Sequence, residues 1–207
     1  MKTTWGYDIT DDIDLVEMIS IDDFNSITAN KYAGDVRIYQ NISAACMAIR
    51  NYCGWHVYPQ CDCAFSERLL SGNGKVKRIN NDILVQLPAT YVTDISSVKV
   101  DGADWTDFDY ETNGLLRLFD VGGCLSRKTK VEVEYTAGLP GEMMAGIREL
   151  VSHRVTHALA SSAGVSSESA GGVSITYNAN WINSARATAL PDDNKEVLEP
   201  YRVRGVF

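Results

Sequence analysis

The apolar positions between residues 35 and 53 follow the repeat of an α-helix. They recur at steps of four, three and four and therefore share one helix face: Ile42, Cys46, Ile49 and Cys53. Gly54 comes next, and glycine readily adopts the left-handed conformation that ends a helix. The pattern predicts an amphipathic helix that begins near Asp35 and packs through this face.

Residues 57–137 show a different pattern, in which short alternating or β-branched runs are separated by turn-forming residues. Seven strands are predicted, over residues 64–69, 75–79, 83–86, 92–100, 106–110, 115–119 and 130–136. Asn113-Gly114 lies between two of these runs and predicts a hairpin.

The helical period returns after Pro140. A helix is predicted over residues 141–161, with an apolar stripe of Met144, Ile147, Leu150, Val151, Val155 and Ala158. Shorter helices are predicted over residues 20–31 and from Asp192 or Asp193 to Val203. Between the helices, residues 161–172 read as a Ser/Gly loop and residues 173–177 as a strand or an arm.

Taken together, these elements predict an α+β fold: a small helical bundle, with two long helices plus short ones, and an inserted antiparallel β module. The predicted organisation has three parts. Residues 1–19 form an acidic N-terminal arm, residues 20–56 and 138–207 form the helical core with a C-terminal arm, and residues 57–137 form the β-rich insertion.

Charge is unevenly distributed along the chain. The net charge is −8, and residues 1–30 hold seven acids against one lysine, whereas the rest holds 20 acids and 18 bases. Tight binding to nucleic-acid phosphates needs a surplus of clustered Lys and Arg, which this chain lacks. The acidic segment reads either as a solvated, partly disordered arm or as one that docks on a basic neighbour. The longest uncharged stretch, residues 169–185, is rich in Ser, Gly and Asn, so no membrane span is predicted.

Five cysteines, at positions 46, 53, 61, 63 and 124, form an odd number and predict reduced thiols. One interpretation is a zinc site made of Cys53, His56, Cys61 and Cys63. The Cys61-x-Cys63 spacing is poor for structural zinc. Packed thiols are therefore the favoured interpretation, and no metal or cofactor is predicted. His153 and His157 share a helix face, but Arg154 stands where a helical zinc enzyme has glutamate.

No catalytic set is predicted. The chain has no Gly-x-Ser-x-Gly elbow, and Gly72-x-Gly74-Lys75 lacks the spacing of a phosphate-binding loop. Asp104, Asp107 and Asp109 alternate along one predicted strand and could hold calcium or act on a sugar. A solvated strand face is the favoured interpretation, and a small hydrolase would rest only on such scattered carboxylates.

Three segments carry a family resemblance. The first is residues 41–59, with the run Tyr52-Cys53-Gly54-Trp55-His56, and the second is Tyr135-Thr136-Ala137-Gly138-Leu139-Pro140. The third comprises residues 167–177 and Leu198-Glu199-Pro200-Tyr201-Arg202. Taken in this order, over roughly residues 20–204, they resemble the head–tail connector proteins of tailed bacteriophages, also called adaptor or head-completion proteins.

The resemblance implies a structural virion protein without enzymatic activity. Such proteins form a ring of about a dozen copies that docks on the portal after DNA packaging and provides the platform for the tail or stopper. The implied location is the virion neck, assembled in the bacterial host cytoplasm. DNA would pass through the ring without specific binding, and no membrane would be involved.

The resemblance implies a set of portal-contact residues, and the helix faces and residue types suggest a set of subunit-contact residues. Portal contact is expected from the C-terminal residues Tyr201, Arg202, Arg204 and Phe207. Contacts between subunits are expected from Ala44, Ala48, Met143 and Trp181, although Trp181 fits a core position equally well. The alternative hypothesis is a ligand- or glycan-binding β module on a helical stalk, motivated by Trp105 within the acidic strand at 104–109.

Overall fold

The computed structural model describes residues 1–11, 15–69, 75–121, 128–160, 167–170, 173–176, 190 and 192–203. The chain divides into two compact units. One, the sheet unit, comprises Met1–Val16, Cys53–Gly141 and Pro200–Phe207. The other, the helical unit, comprises Glu17–Tyr52 and Glu142–Glu199.

The described residues of the sheet unit form nine strands. They are β1 (Asp8–Ile9), β2 (Cys61–Arg68), β3 (Val76–Ile79), β4 (Asp82–Gln86), β5 (Val92–Val100), β6 (Ala103–Asp104), β7 (Phe108–Tyr110), β8 (Leu115–Leu118) and β9 (Lys130–Ala137). A five-stranded sheet has the order β1-β2-β9-β5-β6 and a four-stranded sheet the order β3-β4-β8-β7, with every pairing antiparallel. The seven strands predicted for this region are confirmed, whereas β1 and β6 were not predicted.

One face of the five-stranded sheet is buried, as the alternation of its strands requires. On β2 the buried side chains are Cys61, Cys63 and Phe65, and on β9 they are Val131, Val133, Tyr135 and Ala137. Strand β5 buries Val92, Ile95 and Val98, which are three residues apart. Its register shifts twice against β9, and each bulge adds the residue that returns the next apolar side chain to the buried face.

The four-stranded sheet contains the predicted hairpin. Strands β7 and β8 pair antiparallel across Asn113-Gly114, so this prediction is confirmed. Gly114 has φ +85°, and the Asn113 side chain accepts a hydrogen bond from the Leu115 backbone N–H at 2.9 Å. The buried face of this sheet is apolar, formed by Val76, Ile83, Val85, Leu116 and Leu118.

The helical unit contains α1 (Ile21–Ile27), most of α2 (Ile38–Cys53), α3 (Ala145–Ala160) and α4 (Asp192–Leu198). A 3-10 turn, Gly141–Met144, leads into α3. Strands β10 (Ser167–Ala170) and β11 (Val173–Thr176) pair antiparallel in the same unit. Of the two alternatives left open for residues 173–177, the structure shows a strand over Val173–Thr176. The loop predicted for 161–172 is wrong at β10, where backbone pairing overrides the Ser/Gly composition.

The predicted stripe of α2 is confirmed, because Ile42, Cys46, Ile49 and Cys53 are at most 1% exposed. The stripe of α3 is confirmed except at its end, where Ala158 is exposed and Leu159 is buried instead. Two hydrogen bonds to Met18 tie the start of the helical unit to both long helices. Arg148 Nε donates to the Met18 carbonyl at 3.3 Å, and the Met18 N–H donates to Cys46 Sγ at 3.4 Å.

The predicted fold class, a helical bundle with a small β insertion, is wrong. In the part of the chain that the structure describes, the protein is a mixed α/β protein with four helices and two antiparallel sheets that together contain nine strands, besides the β10–β11 pair. The acid-rich N-terminal segment contributes β1, and its Tyr7 and Ile9 are 4% and 1% exposed. The sheets thus build a core of their own. Within the described residues, every helix is too short or too polar to cross a membrane.

Candidate functional site

His56 lies in the turn that connects α2 to β2. Gly54 has φ +79° and ends the helix, as predicted from its position. The three residues that follow, Trp55, His56 and Val57, are all fully buried. Val57 has φ +65°, a conformation that is unusual for a β-branched residue. The Leu139 N–H donates to the Val57 carbonyl at 2.8 Å and so helps to hold this strained turn in place.

Both ring nitrogens of His56 have partners from distant parts of the chain. Nδ1 lies 2.6 Å from the Tyr7 hydroxyl, and Nε2 lies 3.1 Å from the carbonyl oxygen of Ala137. A carbonyl only accepts, so Nε2 carries the proton that bonds to Ala137. The Tyr7 oxygen also accepts the His56 backbone N–H at 3.0 Å, which directs the phenolic proton to Nδ1.

Cys61 and Cys63 alternate on β2 and therefore point to the same buried side of the sheet. Cys61 Sγ lies 3.4 Å from His56 Nε2. His56, Cys61 and Cys63 form one group in which the candidate ligand atoms all lie within 4.8 Å of one another. This is the densest set of metal-ligating atoms among the described residues.

The pKa values of the two thiols are shifted in opposite directions. The hydrogen bond from the Cys63 thiol, followed by that from His56, lowers the pKa of Cys61 to about 6 against the opposing effect of burial. The same hydrogen bond, together with burial, raises the pKa of Cys63. One sulfur of the pair is thereby prepared to carry negative charge inside the protein.

Tyr135 lies directly opposite Cys63 across the β2–β9 pairing. Its side chain is 1% exposed, and its hydroxyl makes no hydrogen bond of ordinary geometry among the described residues. Burial first, and then the charge and hydrogen-bonding contact of Cys63, raise the pKa of Tyr135 well above its ordinary value. A buried hydroxyl without a well-formed hydrogen bond is costly, and the Cys63 sulfur is the neighbour that could complete one.

The structure brings together three of the four residues considered for zinc. Cys53 is buried at the end of α2 but does not belong to the group of His56, Cys61 and Cys63. Cys124 lies outside the described residues. His153 and His157 lie one turn apart on α3, where burial and then the charge of His153 lower the pKa of His157.

The acidic residues considered for calcium or sugar do not share a strand. Asp104 belongs to β6 of the five-stranded sheet, whereas Asp109 belongs to β7 of the four-stranded sheet. Asp107 lies between these strands, and all three are exposed. The predicted alternation along one strand is therefore wrong, because the chain changes sheets within this segment.

Parts of the segments that carry the family resemblance contact one another. In the sheet unit, Trp55 Nε1 donates to the Tyr201 carbonyl at 2.6 Å, and the Val203 N–H donates to the Cys53 carbonyl at 2.9 Å. In the helical unit, the Tyr52 hydroxyl donates to Glu199 at 2.6 Å. The motif residues therefore hold the fold together locally.

The residues expected at protein interfaces have varied surroundings. Tyr201 is half-buried and Arg202 is exposed, whereas Arg204, Phe207 and Trp181 lie outside the described residues. Ala44 is exposed, and Met143 is 41% exposed. Ala48 is 1% exposed, so it packs inside the chain and offers no surface to a neighbouring subunit.

Sequence analysis missed Tyr7 and Tyr135 as partners of the cluster. Tyr135 lies in a predicted strand, and the alternation of β9 places it on the buried face. Tyr7 lies in the acidic N-terminal segment, where only the spacing Tyr7-x-Ile9 hinted at a strand face. Comparison of the chain with protein-family models gave no match, and neither did comparison with curated proteins.

Replacing Tyr7 by phenylalanine is expected to lower the free energy of unfolding by about 1–3 kcal/mol, because it removes the hydroxyl that is hydrogen-bonded to two buried polar groups of His56. Urea unfolding in the presence of a metal chelator measures this loss. Tyr110→Phe is the control, since its hydroxyl bonds the Thr93 carbonyl at an exposed position where water can substitute. Equal losses in the two variants would contradict the assigned role of Tyr7.

Proposed function

We propose that this protein is a head–tail connector of a tailed bacteriophage. It acts as a structural protein of the virion neck, assembled in the host cytoplasm and without catalytic activity. Copies of the chain form a ring that docks on the portal after DNA packaging and carries the tail or stopper. The observation that carries this proposal is the apolar surface of the helical unit, considered together with the family resemblance.

Exposed apolar side chains are concentrated in the helical unit. Among the described residues, ten large hydrophobic side chains are exposed, and seven of them belong to this unit: Ile21, Ile27, Val36, Tyr39, Met47, Met143 and Val197. Single exposed apolar residues are common, but such a concentration is typical of an interaction surface. Each subunit of a ring must bury two different patches against its neighbours, and this unit offers the apolar area for them.

The contacts between the resemblance segments add support. A motif that only happened to match would be scattered over the fold, whereas Trp55, Ala137 and Tyr201 come from three segments and are joined through hydrogen bonds around one turn. The net charge of −8 also fits a lumen through which DNA moves without being held.

The portal contact is proposed at the C-terminal segment. The backbone is anchored at Tyr201 and Val203, and Arg202 is exposed between these two anchors. The proposed contact also includes Arg204 and Phe207. A deletion that began at residue 199 would remove the Glu199 and Tyr201 hydrogen bonds and harm the fold. Deleting residues 204–207, alone or with Arg202→Glu, therefore tests portal binding more cleanly.

Mutation of the apolar surface is expected to abolish ring assembly on the portal. Val36 is 90% exposed and Met143 is 41% exposed, so a charge at either position costs little in the free subunit but is buried unpaired in the ring. The measurement is electron microscopy, with native mass spectrometry, of the protein mixed with the portal protein of the same phage. Ile79→Asp is the matched control, because Ile79 is 42% exposed and lies in the sheet unit.

We expect Val36→Asp and Met143→Asp to lose the ring while Ile79→Asp retains it. A wild-type protein that neither assembles on the portal nor binds it would refute the proposed function. Phage particles that assemble with tails and infect normally after deletion of the gene would refute it as well.

A further inference from the structure

The cluster of His56, Cys61 and Cys63 has no part in the proposed connector function. It lies inside the sheet unit, and its three side chains are at most 2% exposed. Buried free thiols often act only as small hydrophobic groups. Simple packing does not explain an imidazole nitrogen 3.4 Å from a sulfur, or a buried hydroxyl beside the second sulfur that makes no well-formed hydrogen bond.

We propose that His56 Nε2, Cys61 Sγ and Cys63 Sγ bind one zinc ion inside the sheet unit. Two thiolates and an imidazole are the ligand types that zinc prefers, and hard cations such as Mg²⁺ or Ca²⁺ would need oxygen ligands instead. The ion stabilises the turn between α2 and β2 and the start of β2.

The distances suit zinc. Zn–S bonds of about 2.3 Å and Zn–N bonds of about 2.0 Å place tetrahedral ligand atoms about 3.5–3.8 Å apart. Nε2 and the Cys61 sulfur are already 3.4 Å apart, and all pairs in the cluster lie within 4.8 Å. Only the widest pairs need to close, and by about 1 Å. Among the described residues no other His, Cys, Asp or Glu joins this group, so the protein supplies three ligands.

Tyr135 is the independent observation that points to a ligand. Its buried hydroxyl makes no hydrogen bond of ordinary geometry among the described residues and lies opposite Cys63 on the neighbouring strand. A thiolate at Cys63 would accept a hydrogen bond from it. Groups that hydrogen-bond to metal ligands commonly change metal affinity about 10- to 100-fold.

Binding follows a defined proton balance. Zinc displaces the thiol protons of Cys61 and Cys63, and these protons pass to solvent. The Nε2 proton of His56 is also exchanged for the metal, and the ring takes up a proton at Nδ1, where the Tyr7 oxygen accepts it. The zinc site thus forms at the expense of the Nε2–Ala137 hydrogen bond, and no electrons are transferred. Because protons are released, zinc affinity rises with pH.

The test begins with wild-type protein refolded with excess zinc, desalted, and analysed for metal. We expect about one zinc per chain, and a higher melting temperature than for protein refolded with a chelator, because a ligand that binds only the folded state stabilises it. Refolding with Co²⁺ is expected to give the near-ultraviolet charge-transfer band of a thiolate–cobalt bond. A wild-type protein that keeps no zinc and shows no such band overturns the proposal.

Variants locate the site. Cys61→Ser and Cys63→Ser are expected to lose the cobalt band and at least tenfold in zinc affinity. Cys46→Ser is the matched control, since this thiol is equally buried but belongs to α2 of the helical unit. A band that persists in the Cys61→Ser/Cys63→Ser double variant, or disappears in Cys46→Ser, overturns the assignment. If a serine variant does not fold, alkylation of the wild-type thiols is measured instead. Bound zinc is expected to protect these thiols, and thiols that react equally fast with and without zinc overturn the assignment.

Tyr135→Phe tests the second observation without removing a ligand. The band is expected to remain, because both sulfurs are present, while zinc affinity falls about tenfold through loss of the hydrogen bond to Cys63. An unchanged affinity would show that the Tyr135 hydroxyl has no role at the metal site.

Discussion

Replacing Trp55 by alanine is expected to lower the free energy of unfolding by about 3–5 kcal/mol, the range found when a buried large aromatic side chain is truncated. Trp55 is fully buried, and its ring meets that of His56 edge-on at 5.3 Å between centroids. Its Nε1–H also donates to the Tyr201 carbonyl at 2.6 Å, so the same mutation releases the C-terminal segment from the turn after α2.

Urea unfolding measured by far-ultraviolet circular dichroism gives this loss. Trp105→Ala is the matched control, because Trp105 is only half-buried and its Nε1–H bonds the Asp107 carbonyl at an exposed position. Its loss should stay near 1 kcal/mol, the typical effect of a point mutation. Trp55→Phe retains most of the ring volume and isolates the contribution of the hydrogen bond to Tyr201. Equal losses for Trp55→Ala and Trp105→Ala would contradict the view that Trp55 anchors this turn.

The helices could be predicted because their signals are local. The side chains of Ile42, Cys46 and Ile49 repeat at helical spacing, and the residues that end α2 follow directly in the chain. The strands between residues 61 and 137 were predictable for the same reason, since alternation and turn residues are also read over a few positions.

The fold class could not be predicted in this way. Strand β1 contains two residues within an acid-rich segment, and it exists because β2 offers an edge for pairing. Strand β5 was predicted, but the steps of three between its buried Val92, Ile95 and Val98 come from two bulges, which a period-two pattern does not reveal. Both features depend on partners that are distant in sequence.

The same limit applies to the candidate site. The sequence shows Cys61 and Cys63 two positions apart with His56 close by, so the residues of the cluster could be named from the sequence. Its geometry was not, because the ring of His56 is oriented by Tyr7, 49 positions away, and by Ala137, 81 positions away. The spacing rule that argued against zinc applies to ligands that are close together in sequence. Here the turn at Val57 reverses the chain and brings the His56 ring within 3.4 Å of the Cys61 sulfur.

Replacing Gly138 by alanine is expected to lower the free energy of unfolding by about 2–5 kcal/mol, the sum of a left-handed backbone penalty and overpacking. Gly138 has φ +136°, a region open mainly to glycine. A Cβ atom there would lie 2.4 Å from both the Gln60 Cα and the Pro59 carbonyl oxygen. These are backbone atoms next to β2, and they cannot swing away as the end of a flexible side chain could.

Two other glycines separate the two causes. Gly34→Ala has a positive φ of +85° but no atom within 4 Å of the new Cβ, so it should cost only the backbone penalty of about 1–2 kcal/mol. Gly146→Ala lies in α3 with open space around it and should raise the free energy of unfolding by about 0.5–1 kcal/mol. Urea unfolding of all three variants gives the order. If Gly138→Ala lowers the free energy of unfolding no more than Gly34→Ala does, the close approach of Gly138 to Gln60 does not constrain this part of the sheet unit. The turn that carries His56 would then be less firmly held than the structure indicates.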